Sequence, residues 1–146
     1  MTKNTHLVLS TTLIIAAIIF AGCSREEPKM QTGNKSDYRQ IALEFAKSLA
    51  AREYPKAYEM AANEYRGRTT VEQLRTAFET IVPTDWGTVG PIEVGQTMTT
   101  WRGKRSSDIG WAYVIIGGDV YSEAVTVVVT SERGQAKIRE VEFGRP

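Results

Sequence analysis

The chain has 146 residues, 18 of them Lys or Arg and 17 Asp or Glu, for a formal net charge of +1. That length argues for one domain. The two signs are spread along the chain, which excludes the basic stripe of a nucleic-acid surface and the block of acids of a disordered acidic tail. A single cysteine excludes an internal disulfide and a Cys-rich zinc cage.

Lys3 gives a positive start, and Leu7 to Gly22 is a mostly apolar run of 16 residues. A bilayer-spanning helix needs about 20 apolar residues. The run is short for that and fits the apolar region of a secretory signal, with the small residues Ala21 and Gly22 at its end as a signal peptidase requires. Cys23 follows at once. "FAGC" (20–23) resembles the lipobox of bacterial lipoproteins, which prefers Leu where this chain has Phe20. The resemblance implies cleavage before Cys23 and diacylation of its sulfur by palmitate-type chains. Two or more acyl chains hold a protein stably at a membrane, where one holds it marginally. Ser24, in place of Asp, implies the outer membrane, facing the periplasm, if the host is Gram-negative. The alternatives are an uncleaved anchor with an incidental cysteine and a soluble secreted product. Removing residues 1–22 takes away Lys3, no acid and the only His, His6, leaving 17 basic and 17 acidic residues. Residues 23–35 are polar, with Pro28 and Gly33, and read as a flexible tether.

The domain is expected over 36–146. Ser36 or Asp37 caps a first helix in which Tyr38, Ile41, Phe45 and Leu49 form an apolar stripe, ending near Arg52. Pro55 suits the first turn of a second helix, whose stripe is Tyr54, Tyr58, Ala61 and Tyr65 and whose end is Gly67. Thr69 with Glu72 and Thr70 with Gln73 are overlapping capping boxes for a third, which turns Val71, Leu74, Phe78 and Ile81 inward. "VPTDWG" (82–87) stops it. From Gly87 the period changes. Ile92 and Val94 suggest a first strand broken up by Gly90, Pro91 and Gly95. "WAYVII" (111–116) is a second strand, "GGD" (117–119) a tight turn, and "VYSEAVTVVVT" (120–130) a third. "ERGQ" (132–135) turns the chain into "KIREVEF" (137–143), read with Arg139, Val141 and Phe143 opposite Ile138, Glu140 and Glu142. "TTWRGKRSSD" (99–108) is a basic loop or hairpin tip. Helices followed by strands mean α+β, with three helices on one face of a sheet of about four antiparallel strands and the other face free for solvent or a partner.

"FAKSLAAREYPKAYEM" (45–60), with Tyr54, Ala57 and Tyr58 opening the second helix, resembles the start of small lipoproteins in the nuclear transport factor two-like superfamily. "TVEQLRTAFETI" (70–81) resembles their third helix, and "KIREVEFG" (137–144) their closing strand. The resemblance covers roughly 37–144 and implies a cone-shaped domain, its sheet curved around a pocket. Such domains serve as isomerases and dehydratases, as binders of ligands or proteins, and as immunity proteins. A tetratricopeptide fragment in "REYPKAYEMA" (52–61) is the rival, but repeats need several copies to stack, and only one is present.

Catalytic chemistry is hard to find. No His remains after cleavage, and no paired His or Cys and no acidic loop suggests a metal. Among the acids Asp108, Asp119, Glu123, Glu140 and Glu142, Asp119 suits a turn, and Glu140 and Glu142 read as a solvated face. Glu123, beside Tyr121 and Val125, is the least badly placed for a pocket. Cys23 would be a thioether. The aromatics Trp86, Trp101, Trp111, Tyr113 and Tyr121 are candidates for a pocket or partner surface, against packing of core and rim as the plainer explanation. Trp101 stands out, flanked by Arg102, Lys104 and Arg105. The expectation is a non-catalytic, lipid-anchored binding protein of the bacterial cell envelope, with no cofactor, no metal and no nucleic acid. Its ligand would be a protein partner or a small apolar molecule, and an immunity or accessory role is one version. The alternatives are a small isomerase- or dehydratase-type enzyme and a structural component of an envelope assembly.

Overall fold

The computed structural model describes residues 37–144. The signal-like run 1–22 with His6, the tether 23–35 with Cys23, and Ser36 lie outside the described residues.

Asp37 caps α1 (Tyr38–Ala50), accepting from the Arg39 N–H at 3.1 Å. Of the predicted stripe, Phe45 and Leu49 are buried, with Ala42 and Ala46 beside them, and Tyr38 and Ile41 pack half-buried against the core. After Ala51 the chain reverses at Arg52, which takes φ +62°, a left-handed value uncommon outside glycine. Its guanidinium holds that turn down. Nη2 donates to Val82 O at 2.9 Å, Nη1 donates to Tyr54 Oη at 3.1 Å, and the group lies 5.2 Å from the centre of the Phe78 ring.

Four helices are found where three were expected. The second segment divides into α2 (Tyr54–Glu59) and α3 (Asn63–Arg66). The cause is tertiary: between them Ala61 forms a parallel bridge with Ile138 of the last strand. The Ile138 N–H donates to Met60 O at 3.0 Å, and the Ala62 N–H donates to Ile138 O at 2.7 Å. These bonds replace the helical ones, while Tyr54, Ala57, Ala61 and Tyr65 stay buried. Thr70 and Gln73, one of the two overlapping boxes, cap α4 (Val71–Ile81), which buries Leu74 and Phe78.

The strands β1 (Val89–Met98), β2 (Asp108–Gly118), β3 (Ser122–Glu132) and β4 (Gln135–Phe143) form an antiparallel meander in the order β1-β2-β3-β4. The hairpin between β3 and β4 turns on Arg133 and Gly134, both at positive φ, as a two-residue turn matched to strand twist requires. Ala112, Val114 and Ile116 of β2, with Val125, Val127 and Val129 of β3, face the helices and complete the core. Gly110 lets α1 come close: a Cβ there would run into the ring of Tyr38.

The expected cone is not formed, and the resemblance to the nuclear transport factor two-like superfamily fails with it. Each strand pairs only with its neighbours in sequence, β1 and β4 remain apart as edges, and the sheet is open and does not curl round a pocket. What stands is an α+β domain of four helices against an open four-stranded antiparallel sheet. No helix among the described residues is long and apolar enough to cross a membrane.

Candidate functional site

The sheet face away from the helices is not simply open to water. On β3 the residues pointing that way, Thr126, Val128 and Thr130, are buried too, nearly as fully as their core-facing neighbours. The loop 99–107 between β1 and β2 lies beside them and helps to enclose a cavity of about 370 Å³. Trp101, Arg102, Gly103 and Arg105 line it from the loop. Trp111, Thr126, Val128, Arg139, Glu140 and Glu142 line it from the sheet.

Two irregularities in the sheet build this site. Asp108 and Gly110 of β2 face Thr130 and Val129 of β3, which leaves Ile109 as an extra residue. Glu140 and Ile138 of β4 face Val128 and Val129, which leaves Arg139 extra. Bulges of this kind re-aim side chains. Here they flank β3 at one level and aim Asp108 and Arg139 at each other across it. The contact is a two-pronged ion pair: Arg139 Nε donates to Asp108 Oδ1 at 2.8 Å and Nη2 donates to Oδ2 at 3.0 Å. Arg139 Nη1 donates to Glu140 Oε2 at 2.9 Å. Both members of the pair are buried, Asp108 at 3% and Arg139 at 5% exposure. Burial pushes the Asp108 carboxyl up, but the Arg139 guanidinium and the Arg105 N–H outweigh it and hold the group below the ordinary aspartate value. The same hydrogen bond raises Arg139 against its burial.

The pair also anchors the loop. The Arg105 N–H donates to Asp108 Oδ2 at 2.8 Å, the Ser131 N–H donates to Ser107 O at 2.9 Å, and Thr130 Oγ1 donates to the same carbonyl at 3.0 Å. From the far side Arg105 Nη1 donates to Glu64 Oε2 of α3 at 2.6 Å. Lys104 Nζ closes the neck of the loop on Thr99 O at 2.6 Å and stands 5.7 Å from the centre of the Trp101 ring. Lys104 thus ties the loop to itself beside Trp101, the Arg105–Ser107 end of the loop is bonded to the sheet, and the cavity is preformed.

The sequence candidates fall into two groups. Trp101 and Trp111 meet at the cavity, and Tyr113 shares the outer face two residues on from Trp111. Trp86 and Tyr121 stand at the opposite end of β2, with ring centres 5.7 Å apart. Burial raises the Tyr121 hydroxyl, against the opposing charge of Arg52, and among the described residues its oxygen has no hydrogen-bond partner. Glu123 pairs in register with Ile116 on the helix side of the sheet, the face opposite the cavity. Glu140 and Glu142, read from sequence as a solvated face, do reach solvent, Glu142 being exposed and the Glu140 side chain 42% exposed, and both also line the cavity. Arg139 was expected to share a face with Val141 and Phe143. The bulge reverses this: Ile138, Val141 and Phe143 pack on the core, and Arg139 joins the two glutamates. The signal was present, because apolar residues at 138, 141 and 143 are spaced three and then two apart, which is one residue too many for a regular strand.

A larger concavity, about 430 Å³, lies between α1 and α2 and is lined mainly by Glu and Lys stems, without an aromatic residue. Its walls are long side chains on exposed helix surface, so its shape is less fixed than that of the loop cavity. Among the described residues no group of three His, Cys, Asp or Glu side chains could hold a metal ion. Comparison of the chain with family models, with curated proteins and with solved structures gave no match.

Proposed function

We propose that this chain is a non-catalytic binding protein, anchored at the bacterial cell envelope by lipid on Cys23, and that the loop cavity is its binding site. The observation that carries the site is the preformed cavity itself. It has two indoles, a loop bonded across its own neck and tied to the sheet at its C-terminal end, and a buried ion pair beneath it. A binding role is favoured over a catalytic one because Asp108 and Glu140, two of the three acids at the cavity, are engaged by hydrogen-bonded partners, and Glu142 has no second acid free to work with it. Asp108 accepts two bonds from Arg139 and one from Arg105, and Glu140 accepts from Arg139. A general acid or base needs a proton that moves near neutral pH, and Asp108 is driven the opposite way. The lining is more polar than apolar, which favours a polar ligand or partner over the small apolar molecule expected from sequence. The anchor rests on "FAGC" and the short apolar run before it.

Two experiments test the halves separately. Replacing Cys23 with Ser and fractionating cells should move the protein out of the membrane fraction; retention there at mature size refutes the anchor. Crosslinked capture from the native envelope should lose its specific product when Trp101 is replaced by Ala; an unchanged product refutes the site.

A further inference from the structure

We infer that the loop cavity takes a saccharide: a ring-bearing, uncharged ligand rich in hydroxyl groups. This rests on the proposal that the cavity is the binding site, and it names what binds there.

Charge does the first sorting. The lining carries three guanidinium groups and two carboxylates, and Asp108 beneath them balances the third cation. An anion entering would meet Glu140 and Glu142, and a cation would meet Arg102. The site has no net field to reward either. An apolar ligand would strip water from these groups and leave them unpaired, which is unfavourable for each one.

Hydrogen-bonding capacity does the second. Arg139 spends its donors on Asp108 and Glu140, and Arg105 reaches Glu64. Among the described residues Arg102 and Glu142 have no ion-pair partner. Arg102 can only donate and Glu142 can only accept. A hydroxyl does both, so a polyol satisfies both residues with one kind of group. A pair of neighbouring hydroxyls also matches the fork of a guanidinium or a carboxylate.

Shape does the third. Trp101 and Trp111 offer flat indole surfaces, one from the loop and one from the sheet. The C–H face of a sugar ring packs on such a surface without needing charge, while the ring edge keeps its hydroxyls for the polar residues. At about 370 Å³ the cavity is of the size that holds small ligands, and it is partly open to solvent, so a sugar within a longer glycan could enter.

The test uses the full chain in detergent micelles and follows tryptophan fluorescence. The probes are the trisaccharide of N-acetylglucosamine, maltotriose and, as a charged contrast, phosphocholine. The expected result is a saturable change with at least one saccharide, weakened roughly tenfold in Trp101→Ala as for an interface anchor. Arg102→Ala and Glu142→Gln, both at exposed positions, should weaken it less and leave the melting temperature unchanged. No saturable change with either saccharide, a response to phosphocholine alone, or saccharide binding unaffected by Trp101→Ala would each overturn the inference. If the saccharides fail but envelope capture still depends on Trp101, only the ligand class falls. If capture is also indifferent to Trp101, the site falls with it.

Discussion

The two faces of the sheet bury their residues by different means. On the helix side Val125, Val127 and Val129 meet Phe45, Leu49, Leu74 and Phe78, and shape and apolar area do the work. On the loop side Thr126, Val128 and Thr130 are nearly as buried, but the neighbouring atoms include an ion pair and a loop of nine residues that is held by hydrogen bonds. Apolar packing tolerates many sequences of similar volume. A buried ion pair does not, because either partner alone is a charge without compensation. The helix face is therefore expected to carry stability, and the loop face to carry geometry.

The largest expected effect is on the helix side. Phe45→Ala should cost about 4 kcal/mol by chemical denaturation, through lost transfer energy and the cavity left behind. A loss below about 1 kcal/mol would mean that this face is not the main source of stability. Next is Arg139→Met, which strands Asp108 in a buried site and should cost about 3 kcal/mol. Joining it with Asp108→Asn should recover much of that loss, and a double variant no better than the single would remove the pair from the account.

Acid reads the same pair. The folded Asp108 carboxyl titrates below its unfolded value, so its contribution is fully present above about pH 4 and is lost as pH falls through the folded value. Thermal melts of the native chain should drop more steeply below pH 4 than those of Asp108→Asn. Parallel curves would refute the assignment. Thr70→Ala removes one half of a capping box and should cost about 1 kcal/mol, with little effect on the loop. The smallest expected effect is Trp101→Ala, within about 0.5 kcal/mol of native stability. A larger loss would make Trp101 a structural support of the loop rather than a residue kept for contact.

The helix face was legible in sequence because periodicity reports a face directly. Tyr38, Phe45 and Leu49 recur at helical spacing and Val125, Val127 and Val129 at strand spacing, and all six belong to or pack against the core. The break between α2 and α3 was not legible, since Tyr54, Tyr58, Ala61 and Tyr65 keep a helical stripe across it. Only the distant Ile138 decides that the backbone leaves the helix there. The cone came with the resemblance carried by segments 45–60, 70–81 and 137–144, and neither their apolar placement nor their order says whether the outer strands meet. The loop site was half legible: Trp101 and its cations stood out, while Arg139 was hidden by a bulge that shifts the alternation by one residue. Asp108 and Arg139 are 31 residues apart, and no local pattern links them.

The bridge between Ala61 and Ile138 also sets an order of events in the life of the chain. Ala61 is made before any strand of the sheet, and Ile138 sits in the last. The stretch that separates α2 from α3 therefore cannot reach its final backbone form until nearly the whole domain has been synthesised. A chain released short of β4 would keep Met60 and Ala62 without their partners and Ile138 missing from the core. Closure of the α2–α3 connection therefore waits on the C-terminal strand.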